Sequence, residues 1–369
     1  MKTGWQTKNL GDLCRIRTGK KDVNQGNPDG KFPFFTCAAE HTFSDNYSFD
    51  TEALLIAGNG DVGKVSYYNG KFEAYQRTYV LSDFAEVSPR FLYLILDGKL
   101  RDTVSKQKLG NTMPYIKVGM LTDFQLPVPP LAEQQRIVGL LDEAFAGLAT
   151  AKANAEKNLQ NARALFESHL QSVFTQRGTG WVEKTVGEIG KISMCKRIFK
   201  EETTATGDIP FYKIGTFGKE PDAFIPNHTY NEYRAKYSFP KKGDVLISAS
   251  GTIGRRVRYD GEPAYFQDSN IVWIDNDERQ VLNDYLFHFY GACEWNSTKG
   301  ATISRLYNDD LRRVAIGFPK SLQEQRRIVA QLDSLHEETQ SLARLYERKQ
   351  AALEALKKSL LHQAFTGEL

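Results

Sequence analysis

The clearest pattern in the chain is a stripe of apolar residues between Ala132 and Phe174, a stretch with no proline and only Gly139 and Gly147. Positions 141, 145, 148, 152, 155, 159, 162, 166, 169 and 173 step by four and three, and eight of the ten are apolar; Lys152 and His169 are the exceptions. A second stripe occupies 328, 332, 335, 339, 342, 346, 349, 353, 356 and 360, again with eight apolar residues, interrupted by Thr339 and Lys349. Alternating steps of three and four are the seam of a coiled coil. The pattern predicts two helices of ~42 residues, each spanning roughly 63 Å. Neither can bury its stripe alone, so they are expected to pack antiparallel on each other and to hold two globular parts apart. Their charges balance, which suits protein contact better than nucleic-acid contact.

Pro127 to Pro130 closes the globular part before the first helix, because proline disfavours helix at the residue preceding it. The globular parts read as short strands punctuated by glycine turns. Each has one aromatic-rich helix candidate, "RFLYLILDGKLRDTVSKQ" (90–107) and "NDYLFHFYGACEW" (283–295). The chain also repeats itself. "GWQTKNLGDLCRI" (4–16) recurs as "GWVEKTVGEIGKI" (180–192), a shift of 176. "LAEQQRIVGLLD" (131–142) recurs as "LQEQRRIVAQLD" (322–333), and "ALFESHLQSVFT" (164–175) as "ALKKSLLHQAFT" (355–366), both at a shift of 191. That period is too long for a solenoid unit. The expected fold class is α+β: two duplicated mixed α/β domains separated by two long helices forming an antiparallel coiled coil, with pseudo-twofold symmetry. The expected segments are 1–130, 131–178, 179–320 and 321–369.

One motif points elsewhere. In "EALLIAGNGDVGKVSYYNG" (52–70), Gly58, Gly63 and Lys64 have the spacing of a phosphate-binding loop. The next position should carry the hydroxyl that binds Mg²⁺, and here it is Val65. The repeat overlays this segment on "ASGTIGRRVRYDG", where Arg255 replaces the lysine. Neither copy runs on into the helix whose N-terminus would face phosphates. The glycines are expected to form a strand–turn–strand with positive φ, and Asn69-Gly70 and Asp260-Gly261 to form hairpin turns.

Composition narrows the rest. The chain has 369 residues and a net charge of +3, so no basic block declares nucleic acid by itself. Cysteines 14, 37, 195 and 293 form no paired motif, which argues against zinc and disulfides and fits a reduced cytoplasmic protein. Histidines 41, 169, 228, 288, 336 and 362 show no metal-ligand spacing. No apolar run approaches a membrane span of roughly 18 residues, and "MKTGWQTKNLGDL" lacks a signal-peptide core. No Asn-Pro-Pro-Tyr or Asp-Pro-Pro-Tyr motif is present, as an amino-methyltransferase would need to hold its target amine, so that chemistry is not expected here and a non-catalytic chain is the favoured reading. Two rival classes remain at this point: a nucleotide-dependent enzyme using Lys64, and a coiled-coil scaffold without DNA affinity.

Four elements together carry a family resemblance: "LPVPPLAEQQRIVGLLD", its echo "GFPKSLQEQRRIVAQLD", "GDVLISASGTIGRR" and the terminal "HQAFTGEL". With them the whole chain resembles the DNA-specificity (S) subunit of type I restriction–modification enzymes. The first copy departs from the family pattern in "GNGDVGKV", and the chain is compact for the family, which implies trimmed recognition loops. The resemblance implies two target recognition domains, each reading half of a split site in double-stranded DNA. It also implies helices that space these domains and dock two methyltransferase (M) subunits, with restriction (R) subunits as further partners. S-adenosylmethionine would belong to the M subunit, ATP and Mg to the R subunit, and no cofactor to this chain. Arg and Lys can contact guanine, and Gln and Asn adenine. Candidate DNA contacts are therefore Lys64, Gln76, Arg77, Lys106, Gln107, Lys108 and Asn111 in the first part, and Ser250, Thr252, Arg255, Arg256, Arg258, Gln267, Asn270 and Arg305 in the second. Gln134, Arg136, Gln325 and Arg327 recur at the two helix starts and are the candidate partner-docking residues.

Overall fold

The computed structural model describes residues 4–107, 109, 114–176, 178–295, 298–299 and 304–369. The chain forms two compact units, Met1–Glu156 with Glu347–Leu369, and Lys157–Tyr346. In the first, β1 (Gln6–Asn9), α1 (Leu10–Leu13), β2 (Arg15–Thr18), β3 (Phe32–Phe35), β4 (Thr42–Ser44), β5 (Phe49–Ala57), β6 (Val65–Ala74) and β7 (Thr78–Ser82) precede α2 (Pro89–Gln107), α3 (Val118–Thr122) and β8 (Gln125–Val128). The long helix α4 (Leu131–Thr175) follows. Six strands form one sheet in the order β2-β7-β5-β6-β3-β4, and β1 pairs with β8. The unbroken apolar run Ala53–Ala57 is explained by burial on both faces. Leu54 and Ile56 enter the core that holds Phe91, Leu92 and Ile95 of α2, while Ala53 and Leu55 face an aromatic layer around Phe72.

The second unit repeats this plan. It runs β9 (Trp181–Thr185), α5 (Val186–Ile189), β10 (Lys191–Ser193), β11 (Ile209–Tyr212), β12 (Phe224–Ile225), α6 (Asn227–Lys236), β13 (Val245–Ser248), β14 (Arg256–Arg258), β15 (Tyr265–Phe266) and β16 (Ile271–Asp275). Then come α7 (Asn283–Ala292), β17 (Thr298–Lys299), β18 (Ser304–Arg305), α8 (Asn308–Arg312), β19 (Ala315–Pro319) and the second long helix, α9 (Leu322–Thr366). The sheet orders are β10-β16-β13-β14 and β12-β11-β15, with β9 paired to β19. Joined end to end, they reproduce the first unit's order. The continuous strand β6 corresponds to β14 and β15 together, and the parallel pairing of β3 with β6 recurs as β11 with β15.

This corrects the two hairpin turns. Asn69 and Gly70 lie inside β6, paired with Glu52 and Thr51 of β5, and the strand passes Gly70 at φ 129°. At Asp260-Gly261 the chain does turn, with Gly261 at φ 90°, but the next strand joins β11 and not β14.

Each long helix has 45 residues. Within the first unit the start of α4 runs antiparallel to the end of α9. Arg136 Nη2 donates to the Leu369 carbonyl at 2.8 Å, the Lys357 ammonium lies 5.3 Å from the Phe145 ring centre, and Lys152 pairs with Glu354 at 2.5 Å. Within the second unit the Phe166 and His336 rings lie 4.5 Å apart. A shift of 191 carries Phe145 onto His336 and Phe166 onto Lys357, so the two ring contacts occupy matching places in the duplicated seam. The seam itself departs from the strict three-four stepping. Leu342, Lys349 and Leu356 are exposed, and the half-buried positions are Ala343, Tyr346, Gln350 and Leu353. A straight helix drifts by ~20° per heptad against a 3.5-residue repeat, which moves the contact line off its initial register. His169 is likewise exposed and Leu170 takes its place in the core.

Candidate nucleic-acid interface

The glycine turn that resembled a phosphate loop joins two antiparallel strands in each unit. β5 pairs with β6 through Ile56 and Val65, and β13 with β14 through Ile247 and Arg256. Gly63 and Gly254 occupy matching positions at φ 79° and 81°. A Cβ on Gly63 would sit 2.8 Å from Val104 Cγ2, and one on Gly254 would sit 2.1 Å from Trp295 Nε1. The glycines thus permit both the backbone conformation and close packing on the layer beneath. Lys64 donates its ammonium to the Ala39 carbonyl, at the edge of a cavity of about 410 Å³ that also presents Thr36, Glu40, His41 and Ser66.

Gln76 and Arg77 are exposed on the turn between β6 and β7. The Gln76 amide nitrogen donates to Asp22 Oδ2 at 3.3 Å, and its backbone N–H to the Lys21 carbonyl. Both residues border a cleft of about 580 Å³ with Tyr115 and Lys117, two residues that no sequence motif marks. Lys106 and Gln107 lie at the C-terminal end of α2. Lys108 and Asn111 fall outside the described residues.

In the second unit the candidates divide. Ser250 bridges to Arg305 through the backbone, and Arg305 Nη2 donates to Ser269 Oγ at 2.9 Å. Thr252 is exposed and Asn270 half-buried. Gln267 turns inward, its Oε1 accepting from Ile214 N at 2.9 Å, and Arg255 Nη1 donates to the Phe217 carbonyl at 2.9 Å. These two side chains brace the loop between β11 and β12.

Arg256 and Arg258 require correction: they pack against the helices of their own unit. Their guanidinium carbons lie 4.7 and 3.8 Å from the Phe287 ring centre on α7. Arg258 pairs with Asp284 at 2.7 Å and with Asp333 of α9 at 3.4 Å. Gly291 makes room for Arg256, whose guanidinium would meet any added Cβ at 2.2 Å. Burial, helped by the neighbouring Arg258 charge, holds the Arg256 pKa below its ordinary value. Alternation along a strand sends Arg256 and Arg258 to one face and Val257 to the other. That pattern was in the sequence, masked by the habit of placing arginine on the surface. His288 shares the cluster, with Nε2 2.9 Å from Asp333 Oδ1.

The helix starts require a second correction. Gln134 and Gln325 are each 0% exposed. Gln134 Nε2 donates to the carbonyls of Pro129 (2.8 Å) and Glu86 (3.0 Å), and its Oε1 accepts from Ser88 N (2.7 Å). Gln325 repeats the set with Pro319 (2.9 Å), Gln280 (2.8 Å) and Leu282 N (2.9 Å). A fully satisfied, inaccessible amide offers nothing to a partner; both glutamines clamp a helix start to its own domain. Arg136 and Arg327 remain exposed, each forked onto the glutamate three residues earlier, Glu133 and Glu324.

The model of the type I restriction modification DNA specificity domain matches residues 2–159 and again 178–350. The chain belongs to this family. The specificity subunit is 40% identical over 330 residues to a putative type I restriction enzyme specificity subunit of Haemophilus influenzae, covering 85% of this chain and 82% of that one. It is 40% identical over 153 residues to the EcoDI specificity subunit of Escherichia coli, covering 42% of this chain and 34% of that one. Among solved structures, the fold matches a chain from a study of complex assembly and conformational transition of a type I R-M system, with TM-score 0.79 and 20% identity, over 100% of this chain and 99% of that one. It also matches the HsdS subunit of Thermoanaerobacter tengcongensis, with TM-score 0.62 and 20% identity, over 100% and 98%. As a specificity subunit, the chain is a non-catalytic component that confers DNA sequence choice. Among its described residues no helix is long and apolar enough to cross a membrane.

Proposed function

We propose that the subunit recognises a bipartite site in double-stranded DNA, one half per recognition domain, and presents it to two methyltransferase subunits in the cytoplasm. The carrying observation is that one topology occurs twice with different charged residues at matching turns, Arg77 beside Gln76 in the first domain and Asp268 beside Gln267 in the second. A shared scaffold with divergent tips suits two different half-sites. Arg136 and Arg327 recur at matched helix starts, and Leu165 and Leu356 are exposed at matched helix positions, 53% and 47%. Matched surfaces suit two copies of one partner. S-adenosylmethionine would reside in that methyltransferase, and ATP and Mg in restriction subunits.

The test is a methylation map of a genome carrying the chain and its M subunit. Exchanging residues 181–320 for those of another specificity subunit should change one half of the methylated motif. Changes in both halves, with the chain folded, would refute the division of labour.

A further inference from the structure

We infer that Arg197, in the second recognition domain, reads a guanine of its half-site and that Asp268 is its positioning residue. The inference rests on the function proposed above. Arg197 lies in "CKRIFK" (195–200), after β10, among residues that sequence reasoning passed over. Its side chain is 58% exposed, yet its Nε donates to Asp268 Oδ2 at 2.8 Å. That bond engages the Nε–H, and the two terminal nitrogens of the fork are the donors that match guanine O6 and N7.

The segment behind it is fixed. Cys195 and Ile198 are buried on either side, and burial pushes the Cys195 thiol up to about 12. Tyr265 Oη donates to the Lys196 carbonyl at 2.9 Å. Asp268 belongs to a tight turn, in which Ser269 adopts φ 53° and its Oγ accepts from Arg305. Adjacent residues of one turn thus hold two arginines from distant parts of the chain. A side chain restrained in this way enters a groove with less entropy to lose. The carboxylate also argues for a base over a phosphate, because it would repel a phosphate brought alongside.

The first domain carries a variation on the same junction. A shift of 191 places Gln267 on Gln76, and a shift of 176 places Arg197 on Lys21. There the carboxylate sits on the other side, with Asp22 accepting from Gln76. One junction equipped differently in the two domains is what two different half-sites require.

The experiment uses the complex of this chain with its M subunits and duplexes carrying the mapped motif or each single-base change in it. Domain exchange identifies the half read by the second domain. Arg197→Ala should abolish preference for guanine at one position of that half, a loss of at least about tenfold in discrimination. The other positions and the first half should be unchanged. Arg197→Lys should keep the charge and weaken the preference, since lysine lacks the fork. Asp268→Asn should weaken preference at that same position. Unchanged base preferences in Arg197→Ala would overturn the inference. So would an equal loss on every duplex with the salt slope reduced by about one, the signature of a phosphate contact. A wild-type complex with no sequence preference would overturn the proposed function itself, and this inference with it.

Discussion

Replacing Gln134 by methionine keeps the volume of the side chain and removes its polar end. Three backbone groups then lose their partner: the carbonyls of Pro129 and Glu86 and the N–H of Ser88. A buried group left unsatisfied costs about 1–3 kcal/mol. The Pro129 bond is fully buried and the other two are partly so, which places the expected sum at about 3–5 kcal/mol. That is a large share of the ~5–15 kcal/mol that holds a domain together. For a unit of this size it corresponds to roughly 6–20 °C in melting temperature. The assay is thermal and urea unfolding of the full chain, followed by fluorescence and calorimetry, with Gln325→Met as the second arm. Each variant should destabilise the unit that contains it, and the double variant should be close to additive because the sites share no partner. A Gln134→Met chain that melts within about 1 °C of wild type, yet binds M subunits poorly, would refute the clamp and restore a docking role.

Charge reversal at both helix starts, Arg136→Glu with Arg327→Glu, should weaken M-subunit binding about tenfold or more in a pull-down or calorimetric titration and shift melting by only a few degrees; a collapse of melting would make both residues structural. Burial holds the His288 pKa below its ordinary value, against the opposing pull of Asp333. The ring is therefore neutral when folded and takes up a proton on unfolding. Its contribution is complete above the unfolded value of about 6.5 and is lost as pH falls from there through the lowered folded value. Unfolding of the second unit between pH 7.5 and pH 5 should show that loss, and His288→Gln should flatten it. Joining the termini and reopening the chain between Thr175 and Gly180 should give a folded subunit that supports methylation of the unchanged motif. Trp5 and Leu369 already pack on one core, and an altered motif in a folded permutant would contradict this.

The parts of the fold that depend on long-range repetition were readable from the sequence. Two apolar stripes and two copies of "GW" and "EQ" segments announced the duplicated order, because each signal is summed over many residues. Single-residue signals fared worse. Asn69-Gly70 is a strong local turn signal, but ten residues of strand pairing outweighed it. Gln134 and Gln325 looked like paired surface features because repetition alone does not distinguish a shared partner from a shared scaffold. Arg197 was invisible because its significance depends on Asp268, 71 residues away. Only the folded chain brings the two together.

The division of the chain has a consequence for its synthesis. The second unit is one continuous segment, Lys157–Tyr346, whereas the first needs Glu347–Leu369 to be complete. Ala364 and Phe365 sit in the same core as Leu10, Phe91 and Leu92. The half translated first must therefore be the half finished last, with its apolar surface uncovered until the ribosome has delivered the final helical turns. A transcript broken late yields one sealed domain and one open one, and exposed apolar surface of that kind invites aggregation and chaperone capture. Limited proteolysis of a chain ended at Tyr346 should cut the first half and spare the second.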